Sequence, residues 1–315
     1  MTSKQYGFLK QHPFYTFSCI SEYYLLSEEI LEKYQYVLNW ELVGQNEKME
    51  WSTKLIDEFF QDLTKETGKF SVTFCLNPTL PWTVDFIKRY LLYWDWEGLA
   101  ENEVVKKHKG ILAAFHNELD PIIRSLQPSR SPSELLIHSA AHWNDQFNEE
   151  PWLLYTTEKE IDRDPNIEWS ALSWSEFLPW SAEFIRRYQD KWDWENLSVN
   201  PQIHWTDEMI DEFKDRLHWG YIEPNTGQEL GQTICPGITG FIGRKWSPEQ
   251  VERYKDRIDW FALSINDQTF DWTMDLLMEY ESHIDFSGLV HNRSAWYSSF
   301  GDLTDNDIES LLLNK

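Results

Sequence analysis

Large apolar residues recur along this chain with a period of 25 residues. In most copies a Trp is followed 14 residues later by a second aromatic residue, and six residues after that by an Asn. The copies are Trp82, Trp96 and Asn102; Trp180, Trp194 and Asn200; Trp205, Trp219 and Asn225; Trp246, Trp260 and Asn266; and Trp272, Phe286 and Asn292. In regular copies the next Trp comes five residues after the Asn. Such a period indicates stacked repeats.

The first part of each module predicts a helix, which we call the A helix. It opens with Trp, then Ser or Thr, then an acid, as in 180–183 and 246–249. The hydroxyl suits a helix N-cap and the acid suits the positive end of the helix dipole. Apolar residues follow four, five and eight places after the Trp, as at Phe184, Ile185 and Tyr188. This spacing predicts one buried face on a helix of about ten residues.

The second part reads Asp-Trp-x-x-Leu-Ser-x-Asn, as in 193–200 and 259–266. An Asp cap with Trp and Leu three residues apart predicts a shorter helix, which we call the B helix. The closing Asn, twice followed by Pro, favours a left-handed C-terminal cap. An alternative interpretation makes Leu-Ser-x-Asn a short strand, which would give an α/β solenoid like that of leucine-rich repeats.

Two short helices cannot bury these aromatic residues alone, so the sequence predicts an all-α solenoid with the repeated aromatics in its core. We expect an N-terminal cap at 1–25, regular repeats at 26–102 and diverged repeats at 103–168, with helices near 103–118, 132–147 and 151–161. Regular repeats return at 169–292, and a C-terminal cap follows at 293–315.

The modules resemble tryptophan-rich tandem repeats found in open reading frames of bacteria and large DNA viruses. The resemblance rests on Asp-Trp-x-x-Leu-Ser-x-Asn followed by Trp and Ser or Thr, and it covers about 26–102 and 169–292. It implies the repeat architecture. It implies no activity and no site residue.

One insertion breaks the period, because 21 residues separate Asn225 from Trp246 where five are usual. The extra segment, 227–245, holds five of the 13 glycines of the chain. Insertions in repeat proteins often contact a partner. Candidate partner-binding residues here are Glu229, Phe241, Arg244 and Lys245, and a plain tolerated insertion is the alternative.

The chain is strongly acidic, with 53 acids against 28 bases and a formal net charge of −25. First-turn acids of the A helices, including Glu183, Asp207 and Glu208, are further candidates for partner binding. This charge favours a basic protein partner and disfavours nucleic acids and anionic membranes. Three scattered cysteines, no long apolar run and no leader-like N-terminus predict a cytoplasmic protein.

Catalytic motifs are sparse. His138 and His142 lie one helical turn apart, but the sequence fixes no third metal ligand beside them. No Gly-x-Ser-x-Gly and no Gly-x-Gly-x-x-Gly occurs, so we expect no catalytic residue, bound metal or cofactor.

The leading hypothesis is a non-catalytic protein-binding repeat protein. It could serve as an immunity or inhibitor protein that neutralises a basic toxin or a nucleic-acid enzyme. One alternative is an enzyme with its site in 103–168, using His138, His142 or Glu134. Another is a general scaffold protein.

Overall fold

The computed structural model describes residues 1–126, 157–164, 166–222, 234–235, 237–241 and 243–313. Within these residues the regular structure is helical except for two paired two-residue strands, Tyr221–Ile222 and Ile234–Cys235. The prediction of an all-α fold is therefore confirmed. The A helices span Glu28–Tyr34, Thr53–Glu58, Val84–Arg89, Lys109–Ala114, Glu158–Ile161, Ala182–Arg187, Asp207–Phe213, Pro248–Tyr254 and Met274–Glu279. The B helices span Trp40–Gln45, Val72–Leu76, Trp96–Glu101, His116–Leu126, Trp169–Leu172, Trp194–Ser198, Gly237–Gly240, Trp260–Ile265 and Phe286–Leu289.

Further helices lie at the two ends, namely Ser3–Gln11, Pro13–Tyr23, Arg293–Phe300 and Asp305–Leu312. Phe60–Leu63 adds one short helix and Val105–Lys107 one 3-10 turn. The chain forms two compact units. The first unit contains 1–130, 273–278 and 293–315, and the second contains 131–272 and 279–292.

Hydroxyl caps begin most A helices, as the sequence predicts, whereas His108 caps Lys109–Ala114. The side chains of Ser181, Thr206 and Ser247 each accept a hydrogen bond from the backbone N–H three residues later. The helices are shorter than the expected ten residues, with Ala182–Arg187 spanning six and Asp207–Phe213 seven. After Arg187 the backbone leaves helical geometry at Tyr188 and continues as hydrogen-bonded turns.

The B helices settle the choice between helix and strand. Leu197 and Ser198 belong to the helix Trp194–Ser198, and Leu263 and Ser264 belong to Trp260–Ile265. The alternative α/β interpretation is therefore not supported. The left-handed cap at the closing Asn is also wrong, because Asn102 has φ −64° and ψ 123°, which is an extended conformation.

Instead, the closing Asn joins its module to the one before it. The side-chain amide of Asn200, which is 0 % exposed, donates to the carbonyls of Ser173 and Ser175 at 2.8 and 3.2 Å. Its side-chain oxygen accepts from the N–H of Gln202 at 2.9 Å. Equivalent amide bonds to the preceding module are made by Asn46, Asn77, Asn102, Asn266 and Asn292. The Asn period thus marks a buried bond between modules.

The opening Trp shares this bond in two modules, through the residue five places before it, which is Ser175 in one module and Asn77 in the other. Trp180 donates its indole N–H to the carbonyl of Ser175 at 2.9 Å, and the same carbonyl accepts from Asn200. Trp82 donates in the same way to the carbonyl of Asn77, which also accepts from Asn102. The five-residue spacing brings both donors to one carbonyl.

The Ser of the B helix bonds forward to the next module. Ser198 is 0 % exposed, donates to the carbonyl of Trp194 and accepts from the N–H of His218 at 2.9 Å. The same forward bond is accepted by Ser21, Ser173, Thr239 and Ser264. Each such module is therefore bonded to both of its neighbours.

Aromatic rings pack across the same boundaries. The ring of Trp194 lies 5.4 Å from that of Phe213 in the next A helix. Similar pairs are Trp40 and Phe59, Trp96 and Phe115, Trp169 and Tyr188, Trp219 and Tyr254, and Trp260 and Tyr280. The opening Trp residues Trp82, Trp205, Trp246 and Trp272 are buried, whereas Trp180 is half-buried. Burial is therefore confirmed for most opening Trp residues, while the second aromatic of each module is half-buried.

The insertion lies earlier in its module than 227–245. Thr239 accepts from the N–H of Asp259, as the Ser of other modules does, and Gly240 accepts from Asn266. The helix Gly237–Gly240 thus holds the position that the end of the B helix takes in other modules. The additional residues fall between Trp219 and Ile238, and Phe241 takes the place of the Asn. Asn225, from which the sequence spacing placed the insertion, lies outside the described residues.

In the first unit the two predicted caps, 1–25 and 293–315, pack against each other. Phe8 and Phe300 have ring centroids 6.0 Å apart, and Tyr15 and Trp296 6.1 Å. Gln5 donates to the carbonyl of Ser299 at 2.8 Å. The two ends of the chain therefore share one core.

Candidate functional site

A cavity of about 470 Å³ opens in the first unit, between the end of Pro13–Tyr23 and the helix Arg293–Phe300. Its aromatic wall, as we call it, consists of Tyr23, Tyr24, Trp296, Tyr297 and Phe300. Its charged lining residues are Glu28, Lys48, Glu50 and Asp305. This volume lies within the range of small-ligand sites.

Local sequence explains how the aromatic wall forms. Trp296 and Phe300 are four residues apart in one helix, so they project from the same face and are almost fully buried. The helix Pro13–Tyr23 ends where Tyr24 turns extended, with φ −106° and ψ 143°. Tyr24 then donates its hydroxyl to Asp305 at 2.5 Å. Because of burial and this carboxylate, the pKa of Tyr24 lies above its ordinary value, so Tyr24 remains a donor.

Two cations already lie against the ring of Tyr297. The ammonium nitrogen of Lys48 is 4.4 Å from the ring centroid, and the guanidinium carbon of Arg293 is 5.6 Å from it. Both distances are within the reach of a cation–π interaction. Lys48 is exposed, so its ammonium group keeps access to water.

The helix Pro13–Tyr23 carries a cluster of titratable side chains, those of Tyr15, Cys19, Glu22 and Tyr23. Burial is the main cause of the raised pKa of the Cys19 thiol. Burial also raises the pKa of Glu22 from 4.5 to about 7, and the hydrogen bond to Tyr23 and the charge of Arg293 offset only part of this rise. Because the folded chain binds this proton more tightly than an unfolded chain would, stability falls as pH rises from about 4.5 to about 7.

The A helices of the second unit carry a second candidate surface. Arg186 pairs with Glu212 of the next A helix at 2.5 Å, and Arg253 pairs with Asp211 at 3.4 Å. The helices therefore lie side by side. Their exposed first-turn acids form a row that we call the acidic row, made up of Glu183, Glu208 and Glu249.

Among the described residues, the candidate partner-binding residues predicted from the sequence do not form one surface. Glu183 and Glu208 belong to the acidic row, whereas Asp207 is half-buried and accepts from Gln250 at 2.5 Å. Arg244 donates to the carbonyl of Trp205 at 2.6 Å and lies over the ring of Trp246.

Burial, with the charge of Asp207 opposing it, lowers the pKa of Arg244. Lys245 is exposed and pairs with Asp271 at 2.7 Å, and Phe241 is half-buried. Glu229, Glu134, His138 and His142 lie outside the described residues. The structure therefore brings Arg244 and Asp207 together, at 3.8 Å, but holds Arg244 mainly in packing.

Sequence reasoning missed the cavity. Its walls come from residues that are far apart in the chain, in the two predicted caps and in the first predicted repeats, as at Lys48 and Glu50. One signal was present, because Trp296 falls outside the 25-residue period, whereas Tyr297 lies 25 residues after Trp272. A Trp outside the repeat has no role in the repeated boundary, so it needs another packing partner.

Among the described residues no group of three His, Cys, Asp or Glu side chains is placed to hold a metal ion. In the same part of the chain, no helix combines the length and apolar character needed to span a membrane. Comparison with protein families, with curated proteins and with solved structures found no match for this chain.

Proposed function

We propose that this chain is a non-catalytic α-solenoid that binds a basic protein. The boundary contacts repeated from module to module support the solenoid, since Asn, Ser and aromatic residues serve the same purpose in successive modules. Because these polar groups are buried at the module boundaries, recognition falls to residues that stay exposed. The acidic row is the most regular of these surfaces.

The observation that carries the proposal is a contrast on the described A helices of the second unit, where the bases are paired and the carboxylates of the acidic row are not. The bases further along the helices pair with carboxylates of neighbouring modules, as Arg186 does with Glu212 and Arg216 with Asp190. Among the described residues no ion pair involves Glu183, Glu208 or Glu249. These carboxylates therefore remain available to an incoming cationic surface.

The net charge of −25 adds a long-range electrostatic attraction for a positively charged protein. A negative field of this size accelerates encounter with a positively charged protein. The protein surfaces that bind nucleic acids are positively charged. An immunity or inhibitor protein that covers the basic surface of a toxin or nucleic-acid enzyme would use this chemistry.

The test is affinity capture from native lysate with a charge-matched control. The full chain is compared with a variant of the acidic row, Glu183→Gln, Glu208→Gln and Glu249→Gln. The control changes three exposed first-turn acids of the B helices, Glu41→Gln, Glu97→Gln and Glu195→Gln. Both variants lose three charges, so only the position of the loss differs.

We expect one dominant basic protein to be retained by the chain and by the control, and to be lost from the acidic-row variant. Retention should also fall as salt rises from about 0.1 M to about 1 M, because the screening length shortens from about 10 Å to about 3 Å. No stoichiometric partner, an acidic partner, or retention that does not change with salt would contradict the proposal. Many weak partners would favour a scaffold.

A further inference from the structure

We propose that the cavity of the first unit holds an arginine or lysine side chain of the basic partner. This inference deepens the proposed function and rests on it. The cavity combines the two groups that stabilise an organic cation at a protein surface, namely aromatic faces and carboxylates. Its size suits a side chain better than a folded surface.

The charges at the cavity favour a cation over an anion. Three carboxylates line it, those of Glu28, Glu50 and Asp305, against the single ammonium group of Lys48. Glu28 pairs with Lys54 at 3.0 Å, and Asp305 accepts the hydroxyl of Tyr24. Within the described part of the chain, Glu50 takes part in no ion pair. Glu50 is therefore the carboxylate most available to an incoming charge.

The aromatic wall already receives cations from the chain itself. Lys48 lies over Tyr297 at 4.4 Å and Arg293 lies at 5.6 Å from the same ring. An ammonium group from a partner would meet the same kind of surface at the neighbouring Tyr23 and Tyr24. Lys48 would oppose its entry by like-charge repulsion, so Lys48 limits the affinity of the site.

The chain offers a direct reporter of occupancy. Met49 is buried and lines the cavity, whereas Met209 is buried in an A helix of the second unit. The full chain labelled with ¹³C at its methionine methyl groups is titrated with N-acetyl-arginine methylamide. The matched probe is N-acetyl-citrulline methylamide, which has nearly the same shape and no charge.

We expect the arginine probe to shift the Met49 methyl signal in a saturable manner and to leave Met209 unchanged, and we expect citrulline to shift neither. Glu50→Gln should weaken arginine binding about two- to fivefold, and Lys48→Gln should strengthen it by a similar factor. Glu29→Gln removes an exposed acid that does not line the cavity, so it should leave binding unchanged.

The outcomes separate this inference from the proposed function. An unchanged Met49 signal, equal shifts with citrulline, or no effect of both Glu50→Gln and Lys48→Gln would overturn the cation site. If the basic partner is still captured through the acidic row in that case, the proposed function stands without the cavity. If arginine binds as expected while no basic protein is captured, the proposed function fails and the assignment to a partner falls with it.

Discussion

Removing one buried Asn should destabilise the second unit more than its size suggests. In Asn200→Ala the carbonyl of Ser173 loses its donor at 2.8 Å and the N–H of Gln202 loses its acceptor at 2.9 Å. The carbonyl of Ser175 keeps the indole N–H of Trp180. The buried carbonyl of Ser173 and the part-buried N–H of Gln202 therefore lose the partner that Asn200 provides, at about 1–3 kcal/mol for the carbonyl and less for the N–H. We expect a loss of about 2–5 kcal/mol in the free energy of unfolding.

Urea denaturation, followed by the Met209 methyl signal, measures this loss in the second unit. Asn196→Ala is the matched control, since Asn196 lies in the same B helix and bonds the half-exposed end of the module through Ser170 and Asp193. It should cost less than about 1 kcal/mol. If the two variants lose equal stability, the Asn period has another cause and the proposed boundary bond is wrong.

Two further predictions concern single side chains. Glu22→Gln should remove the fall in stability of the first unit between pH 4.5 and about 7, because Gln does not titrate. The rise in the pKa of Glu22 sets an upper limit of about 3 kcal/mol on this fall, and partial exposure of the side chain reduces it to about 1–2 kcal/mol. Urea midpoints followed by the Met49 signal at pH 5 and pH 8 check this, and a variant with the same pH dependence as the wild-type chain would contradict it. Ser198→Ala should cost about 1–3 kcal/mol, because the N–H of His218 loses its acceptor. The Met209 signal in urea measures this cost, and a change below about 0.5 kcal/mol would refute it.

Local signals in the sequence were enough to predict where the helices begin. Ser181, Thr206 and Ser247 were predicted as caps from the residues that follow them, and each accepts the expected backbone hydrogen bond. This success has a simple reason. A cap and its partner are three residues apart, so both are visible in one short stretch of sequence.

The role of the closing Asn could not be predicted in the same way. Asn tolerates positive φ, and the Pro after Asn200 suited a helix end, so the local chemistry favoured a left-handed cap. The bonds that determine its role run to Ser173 and Ser175, 27 and 25 residues earlier. Only the fold brings them together. The cavity was missed for the same reason, because Tyr23 and Trp296 meet only after folding.

The polar residues of the chain differ in position and burial, and this difference limits which of them can contact a partner. A residue that recurs with the period, such as Ser198 or Asn200, is buried in a boundary and is unavailable to a partner. A residue that recurs but stays exposed, such as Glu183, can contact a partner without weakening the stack. Lys48 and Glu50 fall into a third class, since they line a cavity that also includes residues from both ends of the chain. For the proposed basic partner, specificity for one protein then depends on this third class, because a uniform acidic row attracts many cations with similar strength.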